Sequence, residues 1–256
     1  MNKLLLAAIL YLFSLSLFSQ SNYASHREMD NPTKIFVDGN LTFYTATESI
    51  ALFAPATLYC FNNTLKFSYT FNLQEYVEVT DIKKLSNGTI GVSGMFLPQC
   101  DVFGVKSFYA ELDTNGNLLN QAVNDIYTFY GSNRVNFFEL STGEKLVLAN
   151  NTVGLVNGSG YSIQLEDSLG LPNCSYTDSA HHVGYVNHSL VTGTTTVNYM
   201  NTYDLNNGTR ISKIPFPFAL NKIMKASDKF YYGLTDSSYV IKFDTLFNVV
   251  SNSKLN

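Results

Sequence analysis

The chain has 256 residues, a formal net charge of −4 and only 14% charged side chains, without the clustered Lys and Arg that a nucleic-acid partner needs. Aromatics make up 14%, Trp is absent, and Asn, Ser, Thr and Gly fill the spaces between apolar residues. Aromatics and Thr suit half-buried strands and Asn and Gly suit turns, so the composition points to an all-β protein and away from a helical one.

The N-terminus reads as a targeting segment. Lys3 precedes an apolar stretch over residues 4–18, broken only by Ser14 and Ser16, and Ser19, Gln20, Ser21 and Ala24 follow. That is the pattern of a secretory signal peptide spanning residues 1–24, cleaved within 19–25. The stretch is shorter than the roughly 20 residues a membrane span needs, and no later run approaches that length, so no membrane insertion is expected after cleavage. The mature chain, residues 25–256, is expected to be one exported domain.

From residue 31 onward a two-part phrase recurs five times. Its first half, a polar turn leading into an alternating apolar run, reads Val37-Asp-Gly-Asn-Leu, Leu85-Ser-Asn-Gly-Thr-Ile, Leu140-Ser-Thr-Gly-Glu-Lys, Val186-Asn-His-Ser-Leu and Ala226-Ser-Asp-Lys-Phe. Its second half ends at Asn62, Asp113, Asp167, Asp204 and Asp244. Taking Leu41, Ile90, Leu146, Leu190 and Phe230 as equivalent gives units of 31–74, 75–131, 132–180, 181–217 and 218–256. Four strand-like runs fit in each: 76–85, 89–95, 106–112 and 117–122 in the second unit, and 220–226, 229–234, 238–243 and 247–251 in the fifth. No segment after the leader has a 3.6-residue apolar period, so essentially no helix is expected. Units of this length with four antiparallel strands are the mark of propeller blades, each too small to bury its own faces. The predicted fold is therefore all-β and β-propeller-like, with about five four-stranded antiparallel blades forming a complete ring or an arc of a larger one. A β-sandwich is the alternative, although a sandwich is not expected to repeat internally.

Turn chemistry supports the same scaffold. Asn-Gly pairs at Asn87, Asn115 and Asn207 supply positive φ, and the Asp residues ahead of the second-half turns can accept backbone N–H bonds two residues on. Asp113-Thr-Asn-Gly-Asn117 has the outline of half a calcium loop but lacks the distal bidentate Glu, so it reads as a structural turn.

The phrase Leu85-Ser-Asn-Gly-Thr-Ile followed by Leu112-Asp-Thr-Asn-Gly-Asn117 resembles the degenerate propeller repeats of exported proteins from bacteroidete-type bacteria, as does a leader ending in Phe18-Ser-Gln20. The resemblance covers almost the whole mature chain and implies export to the periplasm or cell surface. The C-terminal sorting domain common in such proteins does not follow Ser253-Lys-Leu-Asn256, and the Trp-Asp, kelch and Asp-box signatures are absent. Asp167-Ser-Leu, Asp178-Ser-Ala and Asp244-Thr-Leu resemble the short O-glycosylation acceptor of that group.

Few residues remain for chemistry. Asp178, His181, His182 and His188 form the one His-rich stretch and are the metal candidates, with His188 expected in a turn. No nucleophile elbow, zincin motif or phosphate loop is present, and no cofactor is expected. Of Cys60, Cys100 and Cys174, the first reads as a buried strand residue, and a Cys100–Cys174 bridge is the favoured pairing. Eight Asn-x-Ser/Thr sequons occur, at Asn40, Asn62, Asn87, Asn150, Asn157, Asn173, Asn187 and Asn207. Long loops over 98–105 and 149–160 offer binding surface, with Phe103, Tyr127, Phe129 and Tyr130 as aromatic contact candidates. The expected role is non-catalytic binding or scaffolding against a protein, glycan or cell-surface partner. A secreted hydrolase or lyase acting on polysaccharide is the alternative, favoured if Asp178, His181 and His188 meet a carboxylate from another blade.

Overall fold

A computed structural model of the chain describes residues 32–38, 40–47, 55–73, 77–97, 105–124, 134–149, 152–165 and 170–255. The leader, Cys100, Phe103, Tyr127, Phe129, Tyr130 and Asp167 lie outside the described residues. Every element among those described is a strand, and the strands form five antiparallel sheets of four in chain order. The first sheet holds β1 (Pro32–Asp38), β2 (Leu41–Thr47), β3 (Ala56–Asn62) and β4 (Thr64–Phe71). The second holds β5 (Val77–Lys84), β6 (Ile90–Phe96), β7 (Lys106–Leu112) and β8 (Leu118–Val123). The third holds β9 (Asn136–Glu139), β10 (Lys145–Ala149), β11 (Thr152–Asn157) and β12 (Gly160–Leu165). The fourth holds β13 (Leu171–Asp178), β14 (Val183–Thr192), β15 (Thr195–Asp204) and β16 (Arg210–Pro215). The fifth holds β17 (Lys222–Lys225), β18 (Tyr231–Leu234), β19 (Tyr239–Phe243) and β20 (Val249–Lys254).

Successive strand residues point to opposite faces, and here both faces of the middle sheets are buried. Phe137 joins Tyr109, Ala122 and Val147 between the second and third sheets. Its neighbour Phe138 joins Leu146, Leu148, Val186 and Tyr203 between the third and fourth. Phe43, Leu58 and Phe71 meet Val79, Val92 and Phe108 between the first and second, and Met200 meets Ile223, Tyr231 and Phe243 between the fourth and fifth. A β-sandwich has one core between two sheets, whereas this chain has a core in each of four successive gaps, so the sandwich alternative is excluded. Among the described residues no comparable cluster joins the fifth sheet to the first. There Ile35 and Val37 on one side, and Met224 and Leu234 on the other, stay exposed.

Two expectations need correction. Leu171–Asp178 is the first strand of the fourth sheet, so the third and fourth units do not meet at residue 180. The glycine-rich 149–160 segment is not a long loop: Thr152–Asn157 is β11, and Gly154 is needed there because a Cβ would stand 2.2 Å from the Tyr161 ring. Cys174 is buried in the core between the fourth and fifth sheets, while Cys100, its favoured partner, lies outside the described residues. Cys60 is a buried thiol in the first core, as its alternating strand suggests, and burial pushes it up against a smaller opposing effect of Lys66.

The turns after the first strands share one geometry. The N–H of Gly88 donates to the Leu85 carbonyl, that of Gly143 to the Leu140 carbonyl and that of Lys229 to the Ala226 carbonyl, at 2.9, 2.9 and 3.3 Å. Gly88 and Gly143 have φ of +86° and +85°, but the third such position is Lys229 at +69°. A side chain in this left-handed region costs about 1 kcal/mol, and Lys229 is exposed. Lys229→Gly is therefore expected to raise stability by roughly 0.5 kcal/mol after the entropy loss of glycine, as read from urea denaturation midpoints.

Four-stranded meanders with the first strand innermost also sort the connections. Turns between first and second strands and between third and fourth strands project from one face of the disc. Connections between second and third strands, and from one sheet to the next, project from the other. The Asn-Gly turns and the turns at Asp113, Asp204 and Asp244 lie on the first, here termed the turn face. The second is termed the loop face.

Candidate functional site

The first strands of all five sheets line a central cavity. Toward the turn face it widens to about 1030 Å³, bordered by Phe36 of β1, Lys84 of β5, Glu139 of β9, Tyr176 of β13 and Met224 of β17. Toward the loop face lies a narrower chamber of about 300 Å³, built from the beginnings of β5, β9, β13 and β17. A polar belt between them ties the inner strands together. Lys83 Nζ pairs with Asp81 at 2.9 Å, donates to Ser175 Oγ at 3.0 Å and to the Phe137 carbonyl, and sits 4.8 and 4.7 Å from the Phe137 and Phe138 ring centres. One ammonium group thus contacts three successive sheets.

Around the narrow chamber, Arg134 Nη1 donates to the Asn173 carbonyl at 2.8 Å and to Asn221 Oδ1 at 3.3 Å, linking the third, fourth and fifth sheets. Asn136, the first residue of β9, is buried, and its amide nitrogen has no hydrogen-bond partner among the described residues. Asn173 is held by its own amide, which donates to Asn187 Oδ1 at 2.9 Å and Ser189 Oγ at 2.8 Å. Asn187 is fully buried and accepts from Leu220 N–H at 2.8 Å. Its sequon, like that of the tied-down Asn173, is therefore a packing element, while Asn62, Asn87, Asn157 and Asn207 are exposed.

The His-rich stretch divides across the fourth sheet. Asp178 faces the fifth sheet, where its Oδ2 accepts from Lys225 Nζ at 2.7 Å and Tyr231 OH at 3.0 Å, with His181 Nδ1 also at 3.0 Å. Burial acts to raise the Asp178 carboxyl, but hydrogen bonds from Lys225, His181 and Tyr231, with the Lys225 charge, outweigh it and hold the group at about 2. An ammonium at 2.7 Å opposes a metal cation at this oxygen. The cluster is a latch between the turn at 179–182 and the fifth sheet. His188 lies on the opposite face of the sheet, in the middle of β14 rather than in a turn, and is fully buried. Burial, with Lys213 and Arg210 nearby, pushes its imidazole down to about 3. His182 and His181 occupy the turn, where His182 takes the positive φ of +52° that glycine holds elsewhere. The convergence that favours a polysaccharide-cleaving enzyme, Asp178 and His181 with His188, is thus not formed.

The latch has a testable energy. A carboxyl lowered from 3.8 to about 2 stabilises the fold above pH 3.8, and that stability is lost as pH falls through 2. Asp178→Asn is expected to cost about 2 kcal/mol at neutral pH and to flatten the acid limb between pH 4 and 2 in urea titrations.

The solved structures place this architecture. The Dos1 propeller superposes with a TM-score of 0.52 at 10% identity, covering 89% of this chain and 59% of its own length. The fold is a five-bladed β-propeller. BamB from Moraxella catarrhalis gives a TM-score of 0.48 at 8% identity, covering 89% of this chain and 78% of that one. The chain spans about three-fifths of the length of the Dos1 propeller. No protein-family model matches the sequence, and neither does any curated protein. Among the described residues of the propeller, no helix is long and apolar enough to cross a membrane.

One surface feature of blade four went unread in the sequence. Its β14 and β15 are ten residues each, yet β13 pairs with β14 only as far as Ser189, and β16 pairs with β15 only from Tyr199. The hairpin of 190–197 therefore stands beyond both flanking strands, with every residue from 191 to 197 exposed, including Val191 at 57%. No Asp, Glu, Lys or Arg occurs from 183 to 203. The available signal was the Thr-rich, charge-free run around Gly193, which composition alone assigns equally well to a loop.

Proposed function

We propose that this propeller is an exported binding or scaffolding protein whose loop face docks a protein or glycan partner at the cell surface. The observation that carries the reading is the hairpin at 190–197. Exposed, uncharged strand edges are templates for pairing with another chain and are normally blunted by Lys, Pro or a bulge. This one has none of these beyond Ser189 and projects from the face that also carries the long connections. Strand addition to such an edge gives affinity through main-chain hydrogen bonds. The turn face is closed by Asx turns instead: Asp113 Oδ1 accepts from the Asn115 and Asn117 N–H groups at 2.8 and 2.9 Å, and Asp244 Oδ1 from Leu246 and Asn248, both at 2.9 Å. The leader of residues 1–24 supports export, which N-terminal sequencing of the mature protein tests by placing its first residue within 19–25.

Replacing residues 190–197 with a two-residue Asn-Gly turn, which keeps the Ser189–Asn198 pair, tests the binding role, because the removed residues belong to none of the buried cores. The trimmed protein is expected to keep its unfolding midpoint and to lose the partner that the parent retains in chemical cross-linking on intact cells. Retention of that partner by a folded, trimmed protein removes the hairpin from the reading.

A further inference from the structure

We infer that the narrow chamber at the loop-face mouth is a carboxylate-binding site, read by Arg134 and Asn136; this rests on the loop face being the binding face. The guanidinium is fixed from one side only. Its Nη1 is spent on the Asn173 carbonyl and Asn221 Oδ1, and no hydrogen bond of Nε or Nη2 to another described residue is formed. Asn221 is itself held, its amide donating to Asp236. The result is an Arg whose position is set by neighbours from two other blades while part of its donor fork remains available, the geometry that takes a planar carboxylate in bidentate fashion. Asn136, a residue only 4% exposed, lines the same chamber, and its buried amide nitrogen has no hydrogen-bond partner among the described residues. A buried donor in that state has a desolvation cost that an incoming acceptor relieves.

Charge in the chamber agrees. Its cations are Arg134 and Lys222, and its anions are Glu78 and Asp81. Asp81 is matched by Lys83 at 2.9 Å, so it does not repel a second carboxylate as a lone charge does. Glu78, half-buried, completes the acidic side of the lining. A volume of about 300 Å³ admits a small acid, or the last residue or acidic side chain of a docked chain. The shared chemistry is the carboxylate.

The test is calorimetric titration of the full mature chain at matched ionic strength with sodium acetate, with disodium succinate, and with a short peptide carrying either a free or an amidated C-terminus. Saturable binding of a carboxylate probe is expected, weakened at least tenfold in Arg134→Gln and in Asn136→Asp. Arg134→Lys keeps the charge and loses the fork, so it should bind more weakly than the parent even where Arg134→Gln fails to fold. Binding of acetate or succinate assigns the site to free acids, and binding only of the free-ended peptide assigns it to a protein terminus. No saturable response to any carboxylate, or equal affinity in Arg134→Gln and the parent, overturns the inference. If hairpin-dependent cross-linking persists in that case, the carboxylate site fails alone and the loop-face reading stands.

Discussion

Between pH 6.5 and pH 5 the protein is expected to lose about 2 kcal/mol of stability because of His188 alone. The sign follows from the direction of the shift. Burial first, then Lys213 and Arg210, lowers the imidazole from 6.5 to about 3 in the folded state. Below pH 6.5 the unfolded chain therefore binds a proton that the folded chain refuses, and stability falls by roughly 1.4 kcal/mol per pH unit until the folded group titrates. This window lies above that of Asp178, whose contribution survives to pH 3.8 and fades toward 2. Urea denaturation from pH 7 to 3 should show two separable limbs. His188→Asn and His188→Phe remove the proton acceptor, and either variant that folds should be flat from pH 6.5 to 4. A slope unchanged in both would place the acid sensitivity elsewhere.

Gly94→Ala is expected to destabilise by about 3 kcal/mol or more, against about 1 kcal/mol for Gly88→Ala. The contrast rests on what each new methyl group meets. A Cβ at Gly94 would lie 2.2 Å from the Glu78 carbonyl oxygen and 2.7 Å from the Phe108 ring, whereas at Gly88 nothing lies within 4 Å and only the φ of +86° is unfavourable. The Glu78 carbonyl cannot yield cheaply. It belongs to β5, an inner strand whose pairing with β6 shifts register between Val79 and Asp81 beside this contact. Moving it displaces the inner strand of blade two and the core it shares with blade one. Paired urea melts of the two variants at pH 7 measure the difference, and equal costs would mean that the inner strand is free to shift.

Much of this scaffold was written in local pattern. The run expected at 106–112 is strand β7 itself, and the four strands of blade five fall within two or three residues of the runs read from alternation. The Asp turns at Asp113, Asp204 and Asp244 accept backbone N–H groups two residues on, as their short side chains allow. Blade four departs from its local pattern for a physical reason. Val186-Asn-His-Ser has turn composition, yet it pairs on both sides and is buried, while the real turn at 179–182 lacks glycine and is closed by His182 in a left-handed conformation. Tertiary burial overrode local preference there. That error also hid the hairpin, because taking Leu190 as the equivalent of Ile90 left no room for ten-residue strands. Arg134 and Asn136 carried no motif at all. Their meaning arises from the convergence of β9, β13 and β17 on one chamber, which residue spacing does not encode. The aromatic candidates Phe103, Tyr127, Phe129 and Tyr130 lie outside the described residues, and their part in binding is a proposal.

The central claim is that one face of the disc binds and the other only closes the blades. Site-specific photo-cross-linking tests it most directly, with benzoylphenylalanine placed singly at Thr194 on the hairpin tip and at Asn115 and Asn206 on the turn face, all exposed positions. In living cells the account predicts a discrete cross-linked adduct from Thr194 and none from Asn115 or Asn206. Adducts confined to the turn face, or absent from all three positions, would contradict it.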